Sequence, residues 1–127
     1  MAAVGGASIL IVEDEQELRN LFSLILEMEG FSVLQAADGQ KGLDLLRTHP
    51  GAISMVITDL NLPKIGGVDL IHHARALNPT VKIVGTSGMS GAAVREMVMK
   101  AGADDFIPKP FQAQEAIRKL KAMLAQP

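Results

Sequence analysis

Polar side chains follow four of the short apolar segments of this chain. Glu13 and Asp14 come directly after the first segment, Asp59 ends the third, Ser87 follows the fourth and Lys109 comes just after the fifth. The carboxyl ends of parallel strands meet at one edge of an open sheet, where such sheets bind their ligands. If the segments are strands of a parallel sheet, these five side chains therefore lie together.

The chemistry predicted for this group is phosphoryl transfer. Carboxylates about 5 Å apart repel each other by about 3 kcal/mol per pair at an effective dielectric constant of about 20, so a cation is expected among them. Carboxylate oxygens are the hard ligands that Mg²⁺ prefers, whereas the His and Cys ligands that suit transition metals are missing from this edge. With a lysine ammonium and a hydroxyl nearby, Asp59 is the predicted nucleophile and would form an acyl phosphate.

Each of these residues also has an ordinary structural interpretation. An acid can cap the helix that follows it, Asp59 can close a turn, Ser87 can satisfy loop backbone and Lys109 can be a solvated charge. Those interpretations are favoured for any one residue alone. Convergence of all of them at one edge is much less expected by accident, and it favours a functional site.

Composition and charge restrict the classes of protein that fit. The chain has 127 residues, 48% of them hydrophobic and only 3% aromatic, which predicts one folded domain with an aliphatic core. A net charge of −2 argues against nucleic-acid binding by this chain. Cysteine is absent, and no apolar run reaches the ~20 residues of a membrane span. Residues 1–7 are predicted to be a flexible N-terminal extension without signal-peptide features, and the cytoplasm is the expected location.

Apolar runs alternate with segments of helical periodicity along the whole chain. Strict alternation implies right-handed βαβ units and a parallel sheet covered on both faces, and five units are too few for a barrel. The predicted fold is a single open, doubly wound α/β module. Strands are predicted at 8–12, 31–36, 55–59, 81–86 and 104–107. Helices are predicted to end near Gly30, Pro50, Asn78, Gly102 and Leu124.

The helical spacing also predicts which helix residues face inward. In the first helix these are Leu18, Leu21, Phe22, Ile25, Leu26 and Met28. In the third helix they are Val68, Leu70, Ile71, Ala74 and Leu77, and in the fourth Val94, Met97, Val98 and Ala101.

Five groups of residues, in this order, resemble the receiver domains of two-component response regulators. They are Glu13-Asp14, the loop 59–67 that begins Asp59-Leu60-Asn61-Leu62-Pro63 and ends Gly66-Gly67, the pair Ser87-Gly88, Phe106, and Lys109-Pro110-Phe111. The resemblance covers about residues 8 to 124 and implies a receiver domain at 8–125. It also implies a flavodoxin-like, five-stranded parallel sheet in the order 2-1-3-4-5, with five helices on two faces.

The same resemblance implies a magnesium site. Asp14 and Asp59 would bind Mg²⁺ directly, and the backbone carbonyl of Asn61 would be a third protein ligand. Glu13 would act through a water molecule.

The resemblance further implies residues that contact phosphate and respond to it. Ser87 and Lys109 would contact the incoming phosphoryl group, and Phe106 corresponds to an aromatic side chain that rotates inward on activation. Ser87 is preferred to Thr86 as the switch hydroxyl because it directly precedes the small residue Gly88.

The function implied is a phosphorylation-activated signalling switch that assists its own phosphorylation and dephosphorylation and is not a turnover enzyme. Asp59 would receive phosphate from a sensor histidine kinase or a histidine phosphotransfer protein. The surface of the fourth helix, fifth strand and fifth helix would then control a downstream effector. Asn61 and Met89 would flank the path of the hydrolytic water and modulate dephosphorylation. No output segment follows Leu124, which leaves a stand-alone receiver and a part of a larger regulator or hybrid kinase as alternatives.

Two other functions fit parts of the pattern. A flavodoxin-like or dinucleotide-binding protein shares the architecture but needs a glycine-rich turn after its first strand, where this chain carries Glu13-Asp14-Glu15. A receiver that has lost its chemistry and serves only as a docking surface is disfavoured by the five intact groups. His49, His72 and His73 are expected at ordinary surface positions.

Overall fold

Five strands alternate with five helices in the computed structural model, which describes residues 8–89 and 91–126. The predicted extension at residues 1–7 lies outside the described residues. The elements are β1 (Ser8–Val12), α1 (Gln16–Met28), β2 (Ser32–Ala36), α2 (Gly39–Thr48), β3 (Met55–Asp59), α3 (Gly67–Leu77), β4 (Lys82–Ser87), α4 (Ala92–Ala101), β5 (Asp105–Pro108) and α5 (Ala113–Leu124).

The strands form one parallel sheet in the order β2-β1-β3-β4-β5, which confirms the predicted topology. β3 is the central strand, and all five of its residues are buried. Continuous apolar runs such as residues 9–12 form strands of this kind because a parallel sheet is covered on both faces. In the register of β3 and β4, Asp59 pairs with Thr86, so both strands end at the same edge.

The hydrophobic core has two parts, one on each face of the sheet. The α2–α4 face carries Val56 of β3 together with buried residues of α2, α3 and α4. The α1/α5 face carries Met55 and Ile57 of β3 together with buried residues of α1 and α5. Alternate residues of one strand thus supply both parts, as the two-residue period of a strand requires. This arrangement confirms five helices on two faces.

Four residues predicted to face inward are instead exposed. Leu21 and Met28 of α1 are 56% and 77% exposed, and Leu77 and Met97 are 50% and 44% exposed. Helical spacing identifies an apolar stripe but not how much of its width the sheet covers. In α1 the residues that the sheet buries are Phe22, Ser23 and Leu26.

No described helix combines the length and the apolar character needed to cross a membrane.

Candidate functional site

The acids predicted to act lie together at the carboxyl edge of the sheet. Asp59 is the last residue of β3 and is only 7% exposed. Glu13 directly follows β1, and its N–H continues the sheet pairing by donating to the Ala36 carbonyl oxygen at 3.0 Å. One carboxylate oxygen from each of Glu13, Asp14 and Asp59 lies within 4.8 Å of the others. Glu13 and Asp59 are buried, whereas Asp14 is exposed and faces the solvent side of the cluster.

Lys109 is the cation of this cluster. Its Nζ donates to Glu13 Oε1 at 2.6 Å and to Asp59 Oδ2 at 3.1 Å, and its side chain is 17% exposed. The Lys109 N–H donates to the Ser87 carbonyl oxygen at 2.8 Å, which fixes the backbone after β5 against β4. The peptide bond between Lys109 and Pro110 is cis. The ion pairs to Glu13 and Asp59 show that the loop after β5 places the Lys109 ammonium beside the carboxylates at the ends of β1 and β3.

The electrostatic environment is dominated by burial and by this ion pair. Burial alone would lower the pKa of the Lys109 ammonium, but its hydrogen bonds to Glu13 and Asp59 outweigh burial and raise that pKa. Burial raises the pKa of the Glu13 carboxyl, although hydrogen bonds from Lys109 and from the Glu15 N–H act in the opposite direction. Lys109 is thus held firmly in its charged form.

The four charged groups do not neutralise one another. Three carboxylates and one ammonium leave two uncompensated negative charges among Glu13, Asp14, Asp59 and Lys109. A divalent cation bound by hard oxygen ligands would balance them. Both oxygens of Glu13 already accept hydrogen bonds, one from Lys109 and one from the Glu15 N–H at 3.0 Å. The donor set therefore fits Mg²⁺, with Asp14 the most accessible of the three acids.

The two switch candidates are buried beside this edge. Ser87 has no exposed surface, and its Oγ accepts the Met89 N–H at 3.0 Å. Phe106 is 4% exposed, packs in the α2–α4 face of the core and pairs with Gly85 in the sheet. Both side chains are therefore buried in this structure.

The remaining predicted residues lie at the rim. Asn61 is exposed, and its N–H donates to Asp59 Oδ1 at 3.2 Å. Met89 is 54% exposed. Of the three histidines, His72 and His73 are exposed on α3, and His49 contacts the Leu45 carbonyl oxygen through Nδ1. None of the histidines belongs to the acidic cluster.

Sequence reasoning missed one residue that contacts this site. Arg19 of α1 donates from Nη1 to the Glu13 carbonyl oxygen at 2.7 Å and from Nε to Gln35 Oε1 at 3.1 Å. Its position on the polar side of α1 gave no signal, because a charge on a solvated helix face is common.

A cavity of about 580 Å³ opens at the other end of the sheet and is lined by residues such as His49, Asn78 and Lys82. It contains none of the predicted site residues. The charged cluster, rather than this cavity, is the site that the geometry supports, since it combines convergent polar groups with perturbed pKa values.

Comparison with known proteins identifies the family. Residues 9–121 match the family model of the response regulator receiver domain. The chain is 38% identical over 116 residues to the transcriptional regulatory protein CpxR of Escherichia coli K12, a match that covers 91% of this chain and 48% of CpxR. It is 35% identical over 130 residues to the alkaline phosphatase synthesis transcriptional regulatory protein SphR of Synechococcus elongatus. That match covers 97% of this chain and 51% of SphR. The chain spans about half the length of these curated relatives.

Solved structures give the same result. The non-phosphorylated receiver domain of HemR from Leptospira biflexa superimposes with a TM-score of 0.88 at 29% identity, covering 95% of this chain and 96% of that one. A receiver domain protein from Clostridium thermocellum superimposes with a TM-score of 0.86 at 27% identity. The match covers 93% of this chain and 94% of that one. Sequence, fold and site geometry thus agree, and the chain belongs to the response regulator receiver domain family, whose members are signalling switches.

Proposed function

We propose that this domain is a switch that is activated when Asp59 accepts a phosphoryl group in a Mg²⁺-dependent reaction. The observation that carries the proposal is the position of Asp59 at the end of the buried central strand, in contact with Lys109 and beside two further acids. Nucleophile, cation and acidic cluster are all held by the ends of neighbouring strands, which favours a preorganised site.

The chain's own groups account for the acceptance step. Lys109 holds Asp59 Oδ2, and the Asn61 N–H holds Oδ1, so the carboxylate is oriented by one donor on each oxygen. One Asp59 oxygen attacks phosphorus, the bond from phosphorus to the donor breaks, and the donor leaves with the electron pair. The Lys109 ammonium remains beside the new acyl phosphate and compensates part of its charge.

The proposed metal ligands are the residues of the acidic cluster. Asp14 and Asp59 would bind Mg²⁺ directly, the Asn61 carbonyl would be a third ligand, and Glu13 would contribute through water. The bound ion would neutralise oxygens of the phosphoryl group. The fully engaged carboxylate of Glu13 supports its indirect role, since both of its oxygens already accept hydrogen bonds.

The proposed response runs through Ser87 and Phe106. Phosphate on Asp59 would draw the Ser87 hydroxyl toward it and stabilise the inward position of Phe106. Phe106 carries no hydroxyl, so this position leaves no buried polar group without a partner. The surface of α4, β5 and α5 would then differ between the two states and be recognised by an effector.

The phosphate donor is proposed to be a sensor histidine kinase or a histidine phosphotransfer protein. CpxR and SphR are transcriptional regulatory proteins, so control of transcription is one output that such a domain serves. The expectation that nucleic acid is not bound applies to the present chain alone.

Intact-mass measurement with acetyl phosphate and Mg²⁺ tests the proposal. We expect the wild-type protein to gain the mass of one phosphoryl group, and Asp59→Asn to gain none. Asp44→Asn, which changes an exposed acid of α2 in the same way, should be labelled like the wild type. Chelation of Mg²⁺ should abolish labelling. A phosphoryl adduct that persists in Asp59→Asn would refute the assignment.

A further inference from the structure

The first residue of α2 lies directly against the loop that follows Asp59. Gly39 is buried, and its N–H donates to the Pro63 carbonyl oxygen at 3.4 Å. A Cβ atom on Gly39 would lie 1.9 Å from the Ile65 carbonyl oxygen and 2.7 Å from the Ile65 carbonyl carbon. Because these are backbone atoms, no side-chain rotation relieves the overlap. Glycine alone allows the two segments to approach this closely.

An ion pair and an unusual backbone conformation join the same two segments. Asp38 caps α2 by accepting the Lys41 N–H at 2.8 Å through Oδ1, and its Oδ2 lies 3.6 Å from Lys64 Nζ. Lys64 has a φ of 70°, in the left-handed region that costs a non-glycine residue about 1 kcal/mol or more. Lys64 therefore adopts a backbone conformation that its own steric preference disfavours.

The base of the loop is tied to Asp59 itself. The Gly67 N–H donates to the Leu60 carbonyl oxygen at 3.0 Å, and a Cβ atom on Gly67 would lie 2.2 Å from the Asp59 carbonyl oxygen. At the start of the loop, the Asn61 N–H donates to Asp59 Oδ1. Residues 61–66 are thus held between the carboxylate at one side and the start of α2 at the other. We expect a displaced Ile65 to shift the backbone of Asn61, because both lie in one short segment that is closed by the hydrogen bond from the Gly67 N–H to the Leu60 carbonyl oxygen.

We propose that the start of α2 positions the loop 61–66, and that Gly39 is a positioning residue for phosphoryl acceptance at Asp59. This inference rests on the function proposed above. Gly39 acts through the Ile65 backbone and sets the place of the Asn61 N–H and carbonyl relative to the Asp59 carboxylate. Misplacement of a reacting group by about 1 Å can cost up to about a hundredfold in rate, so a close backbone contact near the acceptor matters.

Gly39→Ala tests the proposal, and Gly42→Ala is its matched control. Gly42 is also buried on α2, but a Cβ atom there would meet side-chain atoms, Val12 Cγ2 at 3.0 Å and Leu70 Cδ2 at 3.3 Å, rather than loop backbone. We expect Gly39→Ala to shift the amide resonances of Asn61 and Ile65 without any donor present. Labelling by acetyl phosphate at saturating Mg²⁺ should slow by about tenfold or more. Gly42→Ala should keep both properties, whatever its loss of unfolding free energy.

A second variant covers the case in which Gly39→Ala does not fold. Asp38→Ala removes the cap and the ion pair to Lys64 without adding an atom, and it should shift the same loop amides by a smaller amount. The proposal is overturned if Gly39→Ala leaves either the loop amides or the labelling rate unchanged, or if Gly42→Ala at equal stability slows labelling as much. For an unfolded Gly39→Ala, unchanged loop amides in Asp38→Ala overturn it. If wild-type Asp59 is not labelled at all, the proposed function fails, whereas the donor-free amide shifts still decide the positioning.

Discussion

Met89 places an apolar side chain beside a site that is otherwise built from charged and polar groups. It is 54% exposed, and its N–H is bound to the Ser87 Oγ, so its side chain stands at the rim beyond the switch hydroxyl. A thioether cannot orient a water molecule for in-line attack on an acyl phosphate, whereas an amide or a carboxylate can.

We predict that Met89→Gln shortens the lifetime of phosphorylated Asp59. Orienting one attacking water is worth about tenfold in rate, or ~1.4 kcal/mol of barrier. The measurement follows loss of the phosphoryl adduct after the donor is removed. Met28→Gln, which changes a methionine 77% exposed on α1, is the control and should decay like the wild type. Equal or slower decay of Met89→Gln would contradict the idea.

Ser23 is a buried polar residue of α1. It is 1% exposed in α1, and its hydroxyl finds no hydrogen-bond partner among the described residues. Ser23→Ala removes the unsatisfied group and improves helix propensity, so we predict a gain of about 1 kcal/mol in unfolding free energy. Urea denaturation measures it. Ser32→Ala, at an exposed position, should show no such gain, and a destabilised Ser23→Ala would mean that the hydroxyl is satisfied.

Residue types and spacing identified the charged cluster because parallel strands bring their ends together regardless of loop detail. The same reasoning could not find the contact of Gly39 with Ile65, since it joins two backbones and leaves no mark on side-chain chemistry. It also could not find the bond from Arg19 to the Glu13 carbonyl, because every residue carries such an acceptor.

At the scale of elements, α2 is capped at its amino terminus by the side chain of Asp38, which is a titratable group. The Asp38 carboxylate accepts the Lys41 N–H at 2.8 Å. That hydrogen bond, with the nearby Lys64 ammonium, holds the pKa of Asp38 below its ordinary value of 3.8. The Asp38 carboxylate therefore binds a proton less readily in the native state than in the unfolded state. Its contribution to the unfolding free energy is fully present above the pKa of the unfolded state and is lost as the pH falls through the lower pKa of the folded state.

We therefore predict that Asp38→Ala loses about 1 kcal/mol of unfolding free energy at neutral pH. The difference in unfolding free energy between the variant and the wild type should stay constant above a pH of about 5 and shrink as the pH falls below that value. Denaturation at a series of pH values measures it. Asp38→Asn keeps a capping oxygen without the charge and should lose less at neutral pH. A difference that grows on acidification would contradict the assigned direction.

α4 is the helix that the core holds least. Val98 is its one buried residue, and its amino-terminal cap, Gly91, supplies no side-chain hydrogen bond. α3 buries Gly67, Leu70, Ile71 and Ala74. A helix with little buried apolar surface opens at low free-energy cost, which suits a surface that must differ between two states.

Native-state hydrogen exchange should accordingly show less protection in α4 than in α3. On adding beryllofluoride and Mg²⁺, amide shifts should extend from the Asp59 loop to α4, β5 and α5. Exchange in α4 as slow as in α3, or shifts confined to the Asp59 loop, would rule out this path of response.

For the whole molecule, Arg75 holds three segments together. Its guanidinium donates to the Gly102, Pro79 and Val81 carbonyl oxygens at 2.7–3.0 Å and to Asp104 Oδ2 at 2.7 Å. Asp104 Oδ2 also accepts the Ile83 N–H at 2.8 Å. One side chain thus joins α3 to the start of β4 and to the loop after α4.

We predict that Arg75→Ala lowers the unfolding free energy by about 2 kcal/mol or more, because several backbone acceptors and one carboxylate lose a charged partner. Arg75→Lys should recover only a small part of the lost unfolding free energy, because a lysine ammonium lacks the planar fork of donors that the guanidinium provides. Thermal and urea unfolding measure both variants. Arg47→Ala, at an exposed position of α2, should change stability by less than about 0.5 kcal/mol. A full recovery in Arg75→Lys would contradict the role of the fork.

The overall architecture was open to prediction because the alternation of apolar runs and helical segments is regular, and the strand order came with the family resemblance. What the sequence could not show is how completely each helix is covered. Leu21 and Met28 belong to the apolar pattern of α1 yet face solvent, because the width of the contact depends on neighbours that are distant in the chain. The bonds of Arg75 were hidden for a similar reason, since most of its partners are backbone carbonyls.

The division of the core by the sheet has a consequence for how mutations combine. Ile71 of α3 and Ile117 of α5 are both buried, but they belong to the α2–α4 face and the α1/α5 face respectively. Ile→Val at either position costs about 0.5–1.5 kcal/mol. With a layer of backbone between them, the two losses should be additive within about 0.5 kcal/mol. Each face of this domain can therefore diverge in sequence, or be redesigned, without compensating changes in the other.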